Sequence, residues 1–378
     1  MKISTRRIST PAALLAALPV LSVFGQAADS HGPGPSFAGA VFVMTNNNES
    51  NRILRFGRLA TGALVSLGST PTGGRGSGGT VDPLGAQNSL LLTQDGGFLL
   101  AVNSASGTIS AFQVDGANLE LVDVKHTGGS APNAIGQWGN LVYVLNVAGN
   151  SSVVGFHLED GHLIRIPGAI GYLSTAISGG SSVSFTPDGK FLIVTERVTN
   201  KVDSFPVNAD GTVGAVVSQA DPKAGLFLLA MAPSGVAVSL EPGSGVVTAS
   251  IVNSDGTLTA VSSTADSDGG TCWDVVTPNG KYVYAADTAG DTISGFSLSA
   301  AGMLAPINAT NVAAKLTPGS KALDLAVSYD GKYLYSTNAG NGSVGIWTIK
   351  ADGTLKAQTF VSLPASDASA GFNGIAAY

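Results

Sequence analysis

From residue 39 onward the chain alternates short apolar runs with clusters of Gly, Asn and Asp. Typical runs are Ala40-Val41-Phe42-Val43-Met44, Leu141-Val142-Tyr143-Val144-Leu145 and Phe191-Leu192-Ile193-Val194. Short β-branched and aromatic segments between turn-forming residues describe antiparallel hairpins. After the first few dozen residues no long segment carries a helical period.

The runs belong to a repeat. Asp188-Gly189-Lys190-Phe191 leads into Thr195-Glu196, Asn279-Gly280-Lys281-Tyr282 into Ala286-Asp287, and Asp330-Gly331-Lys332-Tyr333 into Thr337-Asn338. The polar residue that ends each run serves as an anchor. The anchors are Asn46, Asn103, Asn146, Glu196, Glu241, Asp287 and Asn338, spaced 43 to 57 residues apart. That period is the mark of propeller blades. After most anchors a further run ends in a large apolar residue: Phe56, Phe112, Phe156, Phe205, Phe296 and Trp347, with Ser250 in the Glu241 repeat. Asp-Gly turns such as Asp210-Gly211 and Asp255-Gly256 follow.

The predicted fold is all-β, a seven-bladed β-propeller of four-stranded antiparallel blades over residues 39–378. The first repeat begins at Gly39 without an inner strand, and the chain ends in an orphan strand that includes Ile375-Ala376-Ala377-Tyr378. The tail is expected to close the ring as the inner strand of blade 1, beside Val41 to Thr45. The stretch between Gly68 and Gly85 is an insertion, and its run Gly73-Gly74-Arg75-Gly76-Ser77-Gly78-Gly79 reads as a mobile surface loop. No helix follows it, so it lacks the context of a phosphate cradle.

The amino terminus differs from the rest. Lys2, Arg6 and Arg7 precede an apolar stretch from Pro11 to Gly25 that is too short to span a bilayer. It reads as a signal peptide, residues 1–27, followed by a linker at 28–38. The expected location is secreted, extracellular or cell wall. Asn48, Asn150, Asn308 and Asn341 each begin an Asn-x-Ser/Thr sequon and are candidate glycosylation sites. The single cysteine, Cys272, allows no internal disulfide, so core packing must hold the fold. Net charge is −6, without any basic stripe, which argues against a nucleic-acid or membrane partner.

Polar residues on the inner strands are the site candidates, because those strands line a central channel. In blade order they are Gln87 and Asn88, Asn133, then Ser181 and Ser182. Cys272, Trp273 and Asp274 follow, then Lys321 and Asp324, and finally Asn373. Each alone could equally satisfy backbone groups around the channel; as a ring they form the expected pocket. Glu196 and Arg197 stand out as the one adjacent acid–base pair at an anchor. They read either as a general base beside a guanidinium or as an ion pair at the channel rim. Among the histidines only His126, between blades 2 and 3, has a position from which the channel is in reach. No His, Cys and Asp cluster has metal-ligand spacing, and no cofactor is expected. Asp266-Ser267-Asp268-Gly269 resembles the opening of a calcium loop but lacks its closing Glu, so it reads as a turn.

The Asp188-Gly189-Lys190-Phe191 to Arg197 segment, Gly270-Thr271-Cys272-Trp273 and Asp324-Leu325-Ala326 resemble the seven-bladed lactonase propellers. That family includes propeller-type 6-phosphogluconolactonases and 3-carboxymuconate cyclases. The resemblance spans about residues 39–378. It implies opening or closing of a small carboxylated or sugar-derived lactone without metal or cofactor. It would assign catalysis to Glu196 and Arg197, while position on the channel-lining strands makes Gln87, Asn88, Asn133, Ser181, Cys272, Trp273, Asp324 and Asn373 the expected substrate-binding residues. The family histidine has no counterpart in a motif here. A second reading of another class is a non-catalytic extracellular or cell-wall glycoprotein whose propeller face binds carbohydrate or a host protein.

Overall fold

Seven antiparallel sheets follow one another along the chain, and within each the strands pair in sequence order. The structure, a computed structural model, describes residues 36–79, 81–267, 270–364 and 371–378. The expected signal peptide and the linker as far as residue 35 lie outside the described residues, as do Asp268 and Gly269 of the calcium-like turn. Blade 2 illustrates the plan: Leu90–Leu92, Phe98–Asn103, Thr108–Asp115 and Asn118–His126 run from the inside outward. In blades 6 and 7 the outermost strand is split into two short pieces, Leu304–Pro306 with Val312–Lys315 and Leu355–Ala357 with Val361–Ser362.

Blade 1 is closed by the chain terminus. Ile375–Ala377 pairs antiparallel with Gly39–Met44, in the register Val41↔Ala377 and Val43↔Ile375. Tyr378 N donates to Ala40 O at 3.0 Å, and Arg58 Nε donates to the Tyr378 carbonyl at 2.9 Å. The tail's Asn373 accepts a 2.8 Å bond from Asn46 Nδ2, so an anchor side chain grips the closing strand.

The large residues that end the third strands fill the space between blades. Phe56, Phe112, Phe156, Phe205, Phe296 and Trp347 are all buried. Each such ring contributes about 1.5–3 kcal/mol by leaving water. Neighbouring blades are also pinned by tyrosines three residues before the anchors. Tyr143, Tyr284 and Tyr335 donate their hydroxyls to the carbonyls of Gly211, Gly353 and Gly62, each in the next blade's turn.

The glycine-rich run is not the mobile surface loop expected of it. Gly76 N donates to Asn47 O at 2.7 Å, Gly78 N to Asn46 O at 2.9 Å, and Asn51 N to Gly74 O at 3.0 Å. Glycine is required here by close approach. A Cβ on Gly76 would lie 2.2 Å from the Asn46 backbone, and one on Gly74 would lie 2.4 Å from the Asn103 side chain. The run is a fitted wedge between blades 1 and 2.

Candidate active site

Each inner strand begins at the end of the ring where its neighbour strand terminates in an anchor, as in Gly180↔Glu196 and Thr271↔Asp287. Four inner strands carry a register shift at that end, between Pro132/Ala134, Gly180/Ser182, Thr271/Trp273 and Ala322/Leu325. Such bulges re-aim side chains and are frequent beside functional sites.

The insertion after blade 1 closes the anchor end of the channel. Its segment Leu84 to Asn88 is mostly buried and is bonded to several blades at once. Gln87 N donates to Ser181 O of blade 4 at 3.0 Å, and Ile135 N of blade 3 donates to Asn88 O at 2.9 Å. Trp273 Nε1 of blade 6 donates to Ala86 O at 3.0 Å. Asp274 N donates to Gln87 Oε1 at 3.2 Å. These contacts make the segment a plug.

Beyond the plug lies a cavity of about 250 Å³. Gln87, Asn88 and Asp274 line it beside the plug, with Leu91, Ile135, Val183 and Leu325 along its apolar walls. Gln137, Ser184 and Met231, all half-buried, line it toward the hairpin-turn end. Asp274 is its one charged wall residue among the described residues. The side chain is 1% exposed, and neither carboxylate oxygen meets a donor at hydrogen-bond geometry. Burial pushes this carboxyl up to about 7; the nearby Gln87 side chain and Ala230 N–H offset only part of that, and Asp324 adds repulsion.

The remaining inner-strand candidates mostly zip blades together. Asn133 Nδ2 donates to Gly180 O at 2.9 Å, joining blades 3 and 4. Ser181 and Ser182 share Thr195 Oγ1, at 3.1 and 2.8 Å, and Thr195 in turn donates to Phe227 O of blade 5. Asp324 accepts from Leu325 N at 3.0 Å and Gly374 N at 3.1 Å, tying blade 7 to the closing tail. Burial pushes Asp324 up to about 7 as well. Asn373 Nδ2 reaches Ala86 O at 3.5 Å. Trp273 is buried and stands edge-on to Phe227 at 5.6 Å. Cys272 is half-buried, and burial pushes its thiol up to about 11, which suppresses the reactive thiolate. Lys321 is exposed on the anchor face, its N–H bonded to Asp291 at 2.7 Å.

Glu196 and Arg197 are not brought together. Glu196 is buried and turns into the blade, accepting from Ser174 N at 3.0 Å and Ser174 Oγ at 2.7 Å, with the Thr199 hydroxyl as a third donor. Arg197 lies exposed at the channel mouth, its guanidinium 5.8 Å from the centre of the Phe227 ring. His126 sits exposed on the outer strand of blade 2. Among the described residues no group of three or more His, Cys, Asp or Glu side chains could hold a metal. The sequon residues Asn48, Asn150, Asn308 and Asn341 are all exposed. Asn308 and Asn341 spend their Nδ2 groups on Val312 O and Ser320 Oγ.

Truncating Glu196 should therefore act on stability. Glu196→Ala leaves the Ser174 and Thr199 hydroxyls without their acceptor, while Ser174 N keeps Asp203 Oδ2 at 2.7 Å, a cost of roughly 1–3 kcal/mol in all. The unfolding midpoint should fall while activity per folded molecule stays constant. Lost turnover with an unchanged midpoint would return Glu196 to the catalytic role.

Other anchors carry buried acids too. Burial pushes Glu241 up to about 8, and Asp287 up to about 6. Burial and the adjacent Glu196 push Asp203 up to about 7. Each keeps in the folded state a proton that the unfolded chain releases above about pH 4. Stability from these groups is full below about pH 4 and is lost progressively as pH rises to about 8. The denaturant midpoint should be higher at pH 5 than at pH 8, and a rise over that window would contradict the assignment.

Residues 234–369 match the family described as lactonase, 7-bladed beta-propeller. A protein named 6-phosphogluconolactonase from Formosa agariphila is 24% identical over 295 residues, 73% of this chain and 72% of that protein. Among solved structures, a putative 6-phosphogluconolactonase from Bacteroides fragilis superposes with a TM-score of 0.66 at 20% identity, over 92% of this chain and all of that one. The periplasmic gluconolactonase of Pseudomonas aeruginosa superposes with a TM-score of 0.68 at 16% identity, over 90% of this chain and 99% of its own.

Proposed function

We propose that this chain, a lactonase-like seven-bladed propeller, hydrolyses a small sugar-derived lactone in the cavity of its central channel. The observation that carries the reading is Asp274: the one charged residue on the cavity wall among the described residues, a buried carboxyl with the Gln87 side chain and Ala230 N–H beside it. A carboxyl held near 7 is half ionised at neutral pH, where a general base works best. The Asp274 carboxylate takes a proton from water as the water oxygen bonds to the lactone carbonyl carbon. The carbonyl electron pair moves onto oxygen, with the amides of Gln87 and Asn88 as the donors on the same wall. When the ring C–O bond breaks, the Asp274 carboxylic acid returns the proton to the departing ring oxygen. The product is a hydroxy acid, and the reaction needs water, one carboxylate and amide donors.

The plug gives this site a closed end, which excludes bulk water on one side. The basic and apolar N-terminal segment supports an extracytoplasmic setting for the reaction. The test is turnover of glucono-δ-lactone above its spontaneous hydrolysis, and its loss in Asp274→Asn. A chain with no turnover on a panel of five- and six-membered aldonolactones would fit the carbohydrate- or host-binding reading instead.

A further inference from the structure

The wall of the cavity carries charge of one sign only. Among the described residues its wall carries no Lys, Arg or His; the polar groups are Gln87, Asn88, Gln137, Ser184 and Asp274. A second carboxylate, Asp324, lies on the next inner strand and is close enough to repel Asp274. The nearest exposed guanidinium among the inner-strand and anchor candidates, Arg197, is at the anchor end, where the plug residue Gly85 lies against it: a Cβ there would meet its Nη1 at 2.6 Å. The plug separates it from the cavity. The turn-end lysine of the adjoining hairpin, Lys190, is paired with Asp188 at 2.9 Å.

We propose that the substrate of this channel is an uncharged aldonolactone, and that a phosphorylated or carboxylated lactone is excluded by the acid-only wall. The inference rests on the channel cavity being the reacting site. A phosphate or carboxylate entering it would leave water without gaining a cation or a charge-assisted donor. It would also sit beside one carboxylate with another behind it, a like-charge juxtaposition that costs several kcal/mol. A neutral polyol lactone meets no such penalty. Its hydroxyls can donate to the carboxylate and to the amide oxygens and accept from the amide nitrogens. The cavity of about 250 Å³ has room for one such ring.

The experiment compares kcat/KM for glucono-δ-lactone and for its 6-phosphate on the full-length protein. The neutral lactone should be favoured by about 100-fold or more, the worth of a desolvated like-charge contact. Ser184→Lys, which sets an ammonium on the cavity wall, should narrow that preference by at least about tenfold if the variant's unfolding midpoint is retained. A phosphorylated lactone turned over as well as the neutral one, or better, would overturn this inference and leave the lactonase reading standing. Turnover of neither lactone would overturn the reading and the inference together. An equal preference in Ser184→Lys and parent, with both folded, would show that charge does not set the selectivity and would also reject the proposal.

Discussion

Deleting residues 371–378 lowers the unfolding midpoint by roughly 10 °C or more, because it removes one strand and opens the ring. The deleted segment buries Phe372 completely and leaves Ile375, Ala376 and Ala377 almost so. Phe372 and Ile375 alone contribute about 1.5–3 kcal/mol each by leaving water. The strand Gly39–Met44 loses its inner partner and becomes an exposed edge with unpaired backbone groups. Asn46 loses its acceptor at Asn373, Arg58 loses Tyr378, and Asp324 loses the Gly374 N–H. The last loss matters most, since it leaves a buried carboxyl short of a donor in the channel wall. Thermal unfolding followed by circular dichroism measures the effect, and a synthetic peptide of residues 371–378 should restore part of it. A midpoint unchanged by the deletion would show that the ring is not held at this seam.

The closure was legible in the sequence because the repeat misses an inner strand at Gly39 and has one to spare at the tail. Blade number was legible for a similar reason: turn glycine, apolar run, polar anchor and large apolar residue recur in fixed order. The site was harder to read. An inner-strand polar residue has the same local pattern whether it faces the cavity or bonds the next blade. Asn133, Ser181 and Asp324 form bonds between blades; Gln87, Asn88 and Asp274 reach the cavity. Periodicity cannot distinguish the two sets, because the bulges shift which side chain turns inward. Glu196 stands out in the sequence as the one anchor acid followed by a basic residue, yet its lone pairs serve Ser174 and Thr199, partners more than two residues away in sequence. The wedge was hidden for another reason. A glycine-rich insertion has the composition of a flexible loop, and only the close approach of Asn46 and Asn103 shows that those glycines are packed.

Asp274→Asn lowers kcat for lactone hydrolysis by roughly 10²- to 10⁴-fold, the usual worth of a positioned acid–base group. The amide keeps the shape of the carboxylate and cannot take a proton from water. Stability moves the other way or stays level at neutral pH. The carboxyl is already held up to about 7 by burial, so ionising it costs the folded state, and the neutral amide escapes that cost. A structural role would give the opposite pairing, in which activity falls only as far as the folded fraction falls. The pH profile separates the cases further. In the parent, kcat above the spontaneous rate should climb with slope one through about pH 7 as Asp274 ionises, then level. That rise occurs over the same range in which the buried anchor acids weaken the fold, so rates must be taken at low temperature and short times. Asp324→Asn supplies the control, because Asp324 is buried by a similar amount and is held by Leu325 and Gly374 instead of lining the cavity. That variant should keep the parent's profile within about one pH unit, shifted downward as the repulsion on Asp274 is removed. An Asp274→Asn protein with parental kcat and an unchanged profile would remove the carboxylate from the reaction.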